Sequence, residues 1–266
     1  MLDHSMPTAD SSTPRDAIIL HQFLRSHFNE KARWALDWKR IPHRRISHLP
    51  GPHMLAIQRM TGQTSTPVLE IDGRFIAGSA AIIDHLDERF PERALLPADP
   101  AQRKRALEIQ AEFDSEVGPA VRTVIFSAMI DEPGFLCRTF TSDRGPVLQA
   151  VYRAVFPLVR AKMARANGVA RREDIDRAFE ISAGALDRVA RETSGRSQLV
   201  GSQFSVADLT CAALLAPLVD LEHTDMARPV PVPERVRDLV ARFADHGAVA
   251  WVRDQYARHR PPPATG

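Results

Sequence analysis

The sequence predicts an α/β domain followed by an all-helical one. Before residue 91, short apolar runs alternate with one amphipathic helix and end on an Asp-Gly hairpin. After residue 100, apolar residues recur only at helical spacing. Proline clusters mark the joint, at Pro91-Glu92-Arg93 and Pro97-Ala98-Asp99-Pro100. We expect a disordered tail over 1–16, an α/β domain over 17–91, a linker over 92–101 and a helical domain over 102–266.

The elements follow in order. Residues 17–23 are a short apolar run and read as a buried strand. From Ser26 to Lys39 the pattern is helical: Phe28, Ala32, Ala35 and Leu36 share a face, with Glu30, Lys31, Asp37 and Lys39 elsewhere. Pro42 ends that helix, and residues 44–49 make a second strand. Strand, helix, strand in this compass implies a parallel, right-handed crossover. Pro50-Gly51-Pro52 is a sharp loop before a short helix over 53–60.

Pro67 cannot donate to a ladder, so it fits only the first position of its strand. Asp72-Gly73 between apolar runs is a tight-hairpin signal, and a helix opens at Ser79 and runs to Phe90. The result is a four-stranded mixed sheet with a backbone edge beside Thr66 close to a helix N-terminus at Ser79. One offers peptide groups to an extended ligand and the other offers amides to a carboxylate, a site for a small acidic peptide.

Helices are expected over 103–117, with a break or kink at Gly118-Pro119 and resumption toward Ile130, and then over 146–166, 173–192, 205–221, 233–245 and 248–258. Ser205 fits an N-cap, Asp208 the carboxylate three residues on, and Phe204 with Leu209 a hydrophobic staple, which together read as a folding device. Residues 261–266 read as a frayed end.

Composition excludes several classes. Thirty-five basic and 33 acidic residues leave a net charge of +2, so nothing pulls the chain toward nucleic acid or membrane. No apolar run reaches the length of a membrane span, and the polar N-terminus lacks a signal-peptide core, so cytoplasmic residence is expected. Cys137 and Cys211 have no metal-like or redox spacing, and Cys211 reads as a buried, inert thiol. The ten histidines form no pair at metal-ligand spacing flanked by carboxylates, and no metal is expected.

Four segments in this order carry a resemblance: Ser26-His27-Phe28-Asn29-Glu30-Lys31-Ala32-Arg33-Trp34-Ala35-Leu36, Thr66-Pro67-Val68-Leu69, Gly78-Ser79-Ala80-Ala81-Ile82 and Phe204-Ser205-Val206-Ala207-Asp208. Over about residues 17–258 the chain resembles a cytosolic-type glutathione S-transferase, a bacterial-like member of the serine type. The resemblance implies a thioredoxin-like N-terminal domain, a helical C-terminal domain, glutathione as cosubstrate, a homodimer and a role in detoxification. It implies that Ser26 is catalytic, its hydroxyl favouring the glutathione thiolate by a hydrogen bond to sulfur. Ser26 also reads as a helix N-cap, and the two roles are compatible. Serine in place of cysteine disfavours thiol–disulfide exchange.

His27 replaces the proline the family often has here and reads as a solvated loop residue. Asn29 reads as an exposed first-turn residue, or as a second donor to the sulfur. Pro67 resembles the family's cis-proline, which presents the Thr66 backbone to the cysteinyl unit; a trans proline starting a strand is the other reading. The resemblance puts the Ser79 amide on the γ-glutamyl carboxylate, with an N-cap role again compatible. Gly78 stands where members carry the acid that pairs with the γ-glutamyl ammonium, so either that amine finds another partner, such as Asp114 of a dimer mate, or affinity for glutathione falls. His53 and Gln63 stand where members position groups for the glycyl carboxylate. Phe113, Val117, Val121, Phe126, Tyr152 and Phe156 form either an apolar wall for the second substrate or the helical core. The arginines between Arg138 and Arg172 read as a solvated face, the other reading being a preference for anionic cosubstrates. The resemblance thus implies transfer of glutathione to small hydrophobic electrophiles, the alternative being a non-catalytic ligand-binding or interaction protein.

Overall fold

The computed structural model describes residues 18–264; the expected tail over 1–16, Ala17 and residues 265–266 lie outside the described residues. The chain runs β1 (Ile19–Gln22), α1 (His27–Trp38), β2 (Arg44–Ser47), α2 (His53–Thr61), β3 (Val68–Ile71), β4 (Arg74–Ala77) and α3 (Ser79–Arg89). The sheet order is β2-β1-β3-β4, with β1 and β2 parallel and β3 antiparallel to both its neighbours. This is the thioredoxin-like mixed sheet. The hairpin loop is Asp72-Gly73 with φ of 50° and 70°, the two positive values that a loop matched to strand twist requires. Leu20 and Leu69 pair across β1 and β3 and are fully buried in a core with Ala32, Leu36, Ile82, Ile83 and Leu86.

The helical part contains α4 (Pro100–Glu112), a π-helical turn (Phe113–Val117), α5 (Gly118–Met129), α6 (Pro133–Thr141), α7 (Pro146–Ala166), α8 (Arg172–Glu192), α9 (Val206–Leu215), α10 (Glu234–Ala241) and α11 (Gly247–His259). Asp99 caps α4 by accepting from the Gln102 amide at 2.8 Å, so the helix begins earlier than its apolar pattern does. The break expected at Gly118-Pro119 lies one turn earlier, as the π turn. Pro119 sits in the first turn of α5 directly after the π turn, where its missing N–H breaks the helical ladder. The nine-residue helix α6 was not expected. Helix α9 ends at Leu215, short of the expected Leu221, because Pro217 tightens Ala216–Leu218 into a 3₁₀ turn. Among the described residues no helix is long and apolar enough to cross a membrane.

Helix α9 is buried at every position and packs against α1 and α4. Its start is built as expected around Asp208, whose carboxylate accepts from the Ser205 amide and hydroxyl, both at 2.9 Å, and from the Leu199 amide at 2.7 Å. Burial pushes that carboxyl up to about 6. Phe204 spends its ring on Trp34, Trp38 and His259. Cys137 and Cys211 are free and buried, and burial raises the Cys211 thiol well above its ordinary range.

The charged face of α1 departs from expectation. Glu30, Lys31, Asp37 and Lys39 are buried. The helix is packed on both sides, and its charges are neutralised by partners that the chain brings from far away. Lys31 donates to Asp114 (2.7 Å) and Lys39 pairs with Asp87 (2.7 Å). Glu30 accepts from Arg33 (2.7 Å) and Arg260 (2.8 Å), and Asp37 from Arg45 (2.6 Å) and Arg260 (2.7 Å). Asp225 completes the seam, bound to Arg45 at 2.9 Å and Arg260 at 2.6 Å. The C-terminal stretch is therefore tied down where fraying was expected: the Arg260 side chain is fully buried, and the Ala264 amide donates to Asp37 at 2.7 Å. The seam brings ligand atoms of Glu30, His223 and Asp225 within 4.8 Å of one another, yet guanidiniums already occupy both carboxylates.

Candidate active site

A cavity of about 800 Å³ opens between the two parts of the molecule. Its α/β side is built from the β1–α1 loop, the Pro50–Met54 segment and Thr64–Thr66; its helical side is built from α5, α6, α7 and the stretch from Pro217 to Pro229.

Ser26 lies on the cavity lining, at the N-terminus of α1. Its backbone takes the extended N-cap conformation (φ −85°, ψ 126°), but its hydroxyl makes no capping hydrogen bond. Backbone position and hydroxyl are thus uncoupled, and the hydroxyl is available to a ligand. The buried guanidinium of Arg33 holds the loop, donating to the carbonyls of Phe23 (3.3 Å) and Ser26 (3.2 Å) and to the Gln22 side chain (2.8 Å).

Thr66 also lines the cavity. His21 pairs with Val68 in the antiparallel register, and continuing that register by two residues sets Thr66 beside Phe23. The Thr66–Pro67 peptide is cis, and the Pro67 carbonyl accepts from the Gly78 amide at 2.9 Å. Asn29, expected at the surface, is fully buried: its amide donates to the Thr66 hydroxyl at 3.2 Å, and its Oδ1 has no partner among the described residues. An unsatisfied acceptor at that depth is uncommon and marks the place as polar.

His27 is likewise buried, against the expectation of a solvated loop residue. Its Nε2–H donates to the Gly118 carbonyl at 2.9 Å, tying α1 to α5. Burial drives its pKa down to about 3 even against that carbonyl, so the ring is neutral.

The remaining expected residues divide. His53 lines the cavity at the start of α2, edge-on to Phe23 at 4.6 Å, and burial lowers its pKa. Gln63 does not line it; both ends of its amide are bonded to the Ser65 backbone. Gly78, with φ of 92°, caps α3, and Ser79 is buried in its first turn; neither touches the cavity lining. A side chain at Gly78 would meet open space, so backbone conformation and not crowding favours glycine there. Asp114 is already paired with Lys31 of its own chain.

Of the six residues offered as an apolar wall, only Phe126 lines the cavity; Phe113, Val117, Val121 and Phe156 are core, and Tyr152 donates to the Pro50 carbonyl at 3.0 Å. On α5 the wall is one face at helical spacing, Arg122, Ile125, Phe126 and Met129. Arg122 was not singled out from the sequence. Its signal was there: it is the lone charge in the apolar run from Ala120 to Ile130.

The chain matches known proteins in two ways. Residues 20–94 match the family model of the glutathione S-transferase N-terminal domain. A maleylpyruvate isomerase from Ralstonia sp is 29% identical over 131 residues, which cover 48% of this chain and 58% of that protein. The chain spans about half the length of the curated relatives it matches. A solved glutathione S-transferase from Pseudomonas fluorescens Pf-5 superposes with a TM-score of 0.60 at 18% identity, covering 93% of this chain and 98% of that one. Another, from Methylobacterium radiotolerans in complex with glutathione sulfonate, gives 0.58 at 20% identity, covering 92% and 95%. Residues 20–94 thus form a glutathione S-transferase N-terminal domain, and the fold along nearly the whole chain is that of the solved glutathione S-transferases.

Proposed function

We propose that the protein is a glutathione transferase of the serine type, in which Ser26 activates the glutathione thiol for attack on a small electrophile. One observation carries the reading: the Ser26 hydroxyl, free of capping duty, lines a largely apolar cavity that Thr66 also lines. A free thiol has a pKa of about 8.5 and is mostly protonated at neutral pH. A hydroxyl donor beside the positive end of α1 favours the thiolate. The cavity then supplies an apolar chamber in which that thiolate forms its bond to carbon. In this reading the Thr66 backbone holds the cysteinyl unit, the first-turn amides of α3 at Ser79 attract the γ-glutamyl carboxylate, and His53 faces the glycyl end. Pro67 and Gly78 shape the backbone between them, and the working form is a cytoplasmic homodimer. The glutathione sulfonate complex of the Methylobacterium radiotolerans neighbour supports glutathione as the ligand.

The test is the thiolate absorbance of bound glutathione, titrated in the wild type and in Ser26→Ala. Loss of one hydrogen bond to the charged form should raise the thiol pKa by about one unit. Equal values would remove Ser26 as the activator.

The Ralstonia relative's name favours a second reading, a glutathione-dependent isomerase. Both begin with the same thiolate addition. They separate at the product: a transferase releases a glutathione conjugate, whereas an isomerase returns glutathione and a rearranged substrate.

A further inference from the structure

Four cationic side chains line the cavity, Arg25, Arg122, Lys162 and Arg228, and no carboxylate is among the described lining residues. Two of the four are spent on backbone. Arg25 donates to the carbonyls of Ala227 (2.7 Å) and Thr139 (3.0 Å), and Arg228 to those of Pro217 (2.6 Å) and Val219 (3.0 Å). Arg122 is different. Among the described residues it has no hydrogen bond and no ion pair, and its Nε is buried without an acceptor. Burial lowers its pKa, and no neighbouring carboxylate opposes the shift. A cation kept in an apolar wall without a partner is costly to a fold unless something else pairs with it. Its neighbours on the same face, Ile125, Phe126 and Met129, are apolar, and Lys162 stands exposed on the facing helix α7.

We propose that Arg122 binds a carboxylate on the second substrate, so that the preferred electrophile is a compact apolar molecule carrying a negative charge. The inference rests on the glutathione-transfer reading and narrows its substrate class. It also separates Arg122 from glutathione's own carboxylates. The residues assigned to those carboxylates, His53 and Ser79, belong to the α/β part, whereas Arg122 stands on the helical wall.

The test compares 4-chloro-3,5-dinitrobenzoate with its methyl ester. In both, the sulfur–carbon bond forms at the chlorine-bearing carbon, the carbon–chlorine bond breaks, chloride leaves with the bonding electrons, and the thiol proton passes to solvent. Each kcat/KM is divided by the uncatalysed rate constant for the same compound, which cancels their different intrinsic reactivity. We expect the wild type to favour the benzoate. Arg122→Met should lower the benzoate-to-ester ratio about ten-fold or more, the scale of one charge-assisted hydrogen bond, with Arg122→Lys between them. Calorimetry with unreactive 3,5-dinitrobenzoate should show a matching loss of affinity in Arg122→Met.

An unchanged ratio in Arg122→Met overturns the proposal. So does a variant whose only defect is a raised KM for glutathione or a raised thiol pKa, since either assigns Arg122 to glutathione instead. If the wild type conjugates neither compound, calorimetry decides alone: Arg122-dependent binding of the benzoate sustains the anion site while the transfer reading falls, and its absence overturns the site. Should Arg122→Met fail to fold in a urea melt, Arg122→Gln and Arg122→Lys carry the same comparison.

Discussion

Replacing Arg260 with methionine should destabilise the protein by about 3–5 kcal/mol, the range for removing one partner of a buried ion pair. The seam around α1 holds three carboxylates, Glu30, Asp37 and Asp225, against three guanidiniums, Arg33, Arg45 and Arg260. Arg260 alone touches all three acids, at 2.8, 2.7 and 2.6 Å, and its side chain is fully buried. Methionine keeps most of the bulk but leaves three buried negative charges facing two positive ones. Each acid keeps at least one guanidinium, Arg33 for Glu30 and Asp225 and Arg45 for Asp37 and Asp225, so the loss is that of one cation and not a collapse of the whole cluster. Against a total stability of about 5–15 kcal/mol, that is a large fraction.

The pH dependence gives the sharper signature. Burial works against ionisation of Asp225, but Arg33, Arg45 and Arg260 outweigh it and hold its pKa at about 2. Glu30 is lowered in the same way. A carboxylate whose folded pKa is depressed stabilises the fold fully above its unfolded pKa of about 4 and loses that contribution as pH falls toward the folded value. The wild type should therefore weaken between about pH 4 and pH 2, whereas Arg260→Met, already missing the cation, should show a shallower decline. Urea unfolding at pH 7 and pH 3 measures both. Adding Glu30→Gln should recover part of the loss by restoring the charge balance. A difference under about 0.5 kcal/mol at pH 7, the ordinary surface scale, would refute the reasoning.

Two further outcomes follow from the α1–α5 contact. In Gly118→Ala the new Cβ would stand 2.6 Å from Phe28 Cζ, 3.1 Å from the Phe113 carbonyl and 3.2 Å from Leu214 Cδ1, so a urea melt should show a loss of about 1–3 kcal/mol. A variant as stable as the wild type would mean that Phe28 turns aside freely. His27 must shed its proton to be buried, because its folded pKa is about 3 against about 6.5 unfolded. Its contribution is thus complete above pH 6.5 and lost as pH falls toward 3, and His27→Gln should remove that part of the acid sensitivity in melts at pH 7 and 5. Identical slopes for the two proteins would assign the sensitivity elsewhere.

The α/β half was readable because its signals are local. Pro67, Asp72-Gly73 and Ser79 each act through neighbours a few residues away; the hairpin and the helix start stand where the pattern put them, and Pro67 stands one residue ahead of β3. The helical half was readable in content but not in detail. The nine residues of α6 are too few for periodicity to speak, and the π turn at Phe113–Val117 precedes the Gly-Pro pair that suggested a break. The charged face of α1 was misread because amphipathic reasoning assumes one partner surface. Glu30 and Arg260 are 230 residues apart, so no local window pairs them. At the site, Ser26 and Thr66 lie on motifs, while His27 and Asn29 were placed in solvent because burial on the second side of α1 depends on helices that arrive much later in the chain.

The π turn between α4 and α5 has a consequence in terms of the gene. It inserts one residue of phase into what would otherwise be a single continuous helix, and so sets which residues of α5 look into the cavity. Deletion of a single codon there would remove the extra residue and leave a regular α-turn with the downstream face unmoved, whereas deletion of one codon within α5 ahead of Arg122 would rotate the face beyond it by about 100°. Thr123 would then take the place of Arg122, Phe126 that of Ile125, and Ser127 that of Phe126. One codon would take the Arg122 cation off the α5 wall without touching any residue of the α/β part.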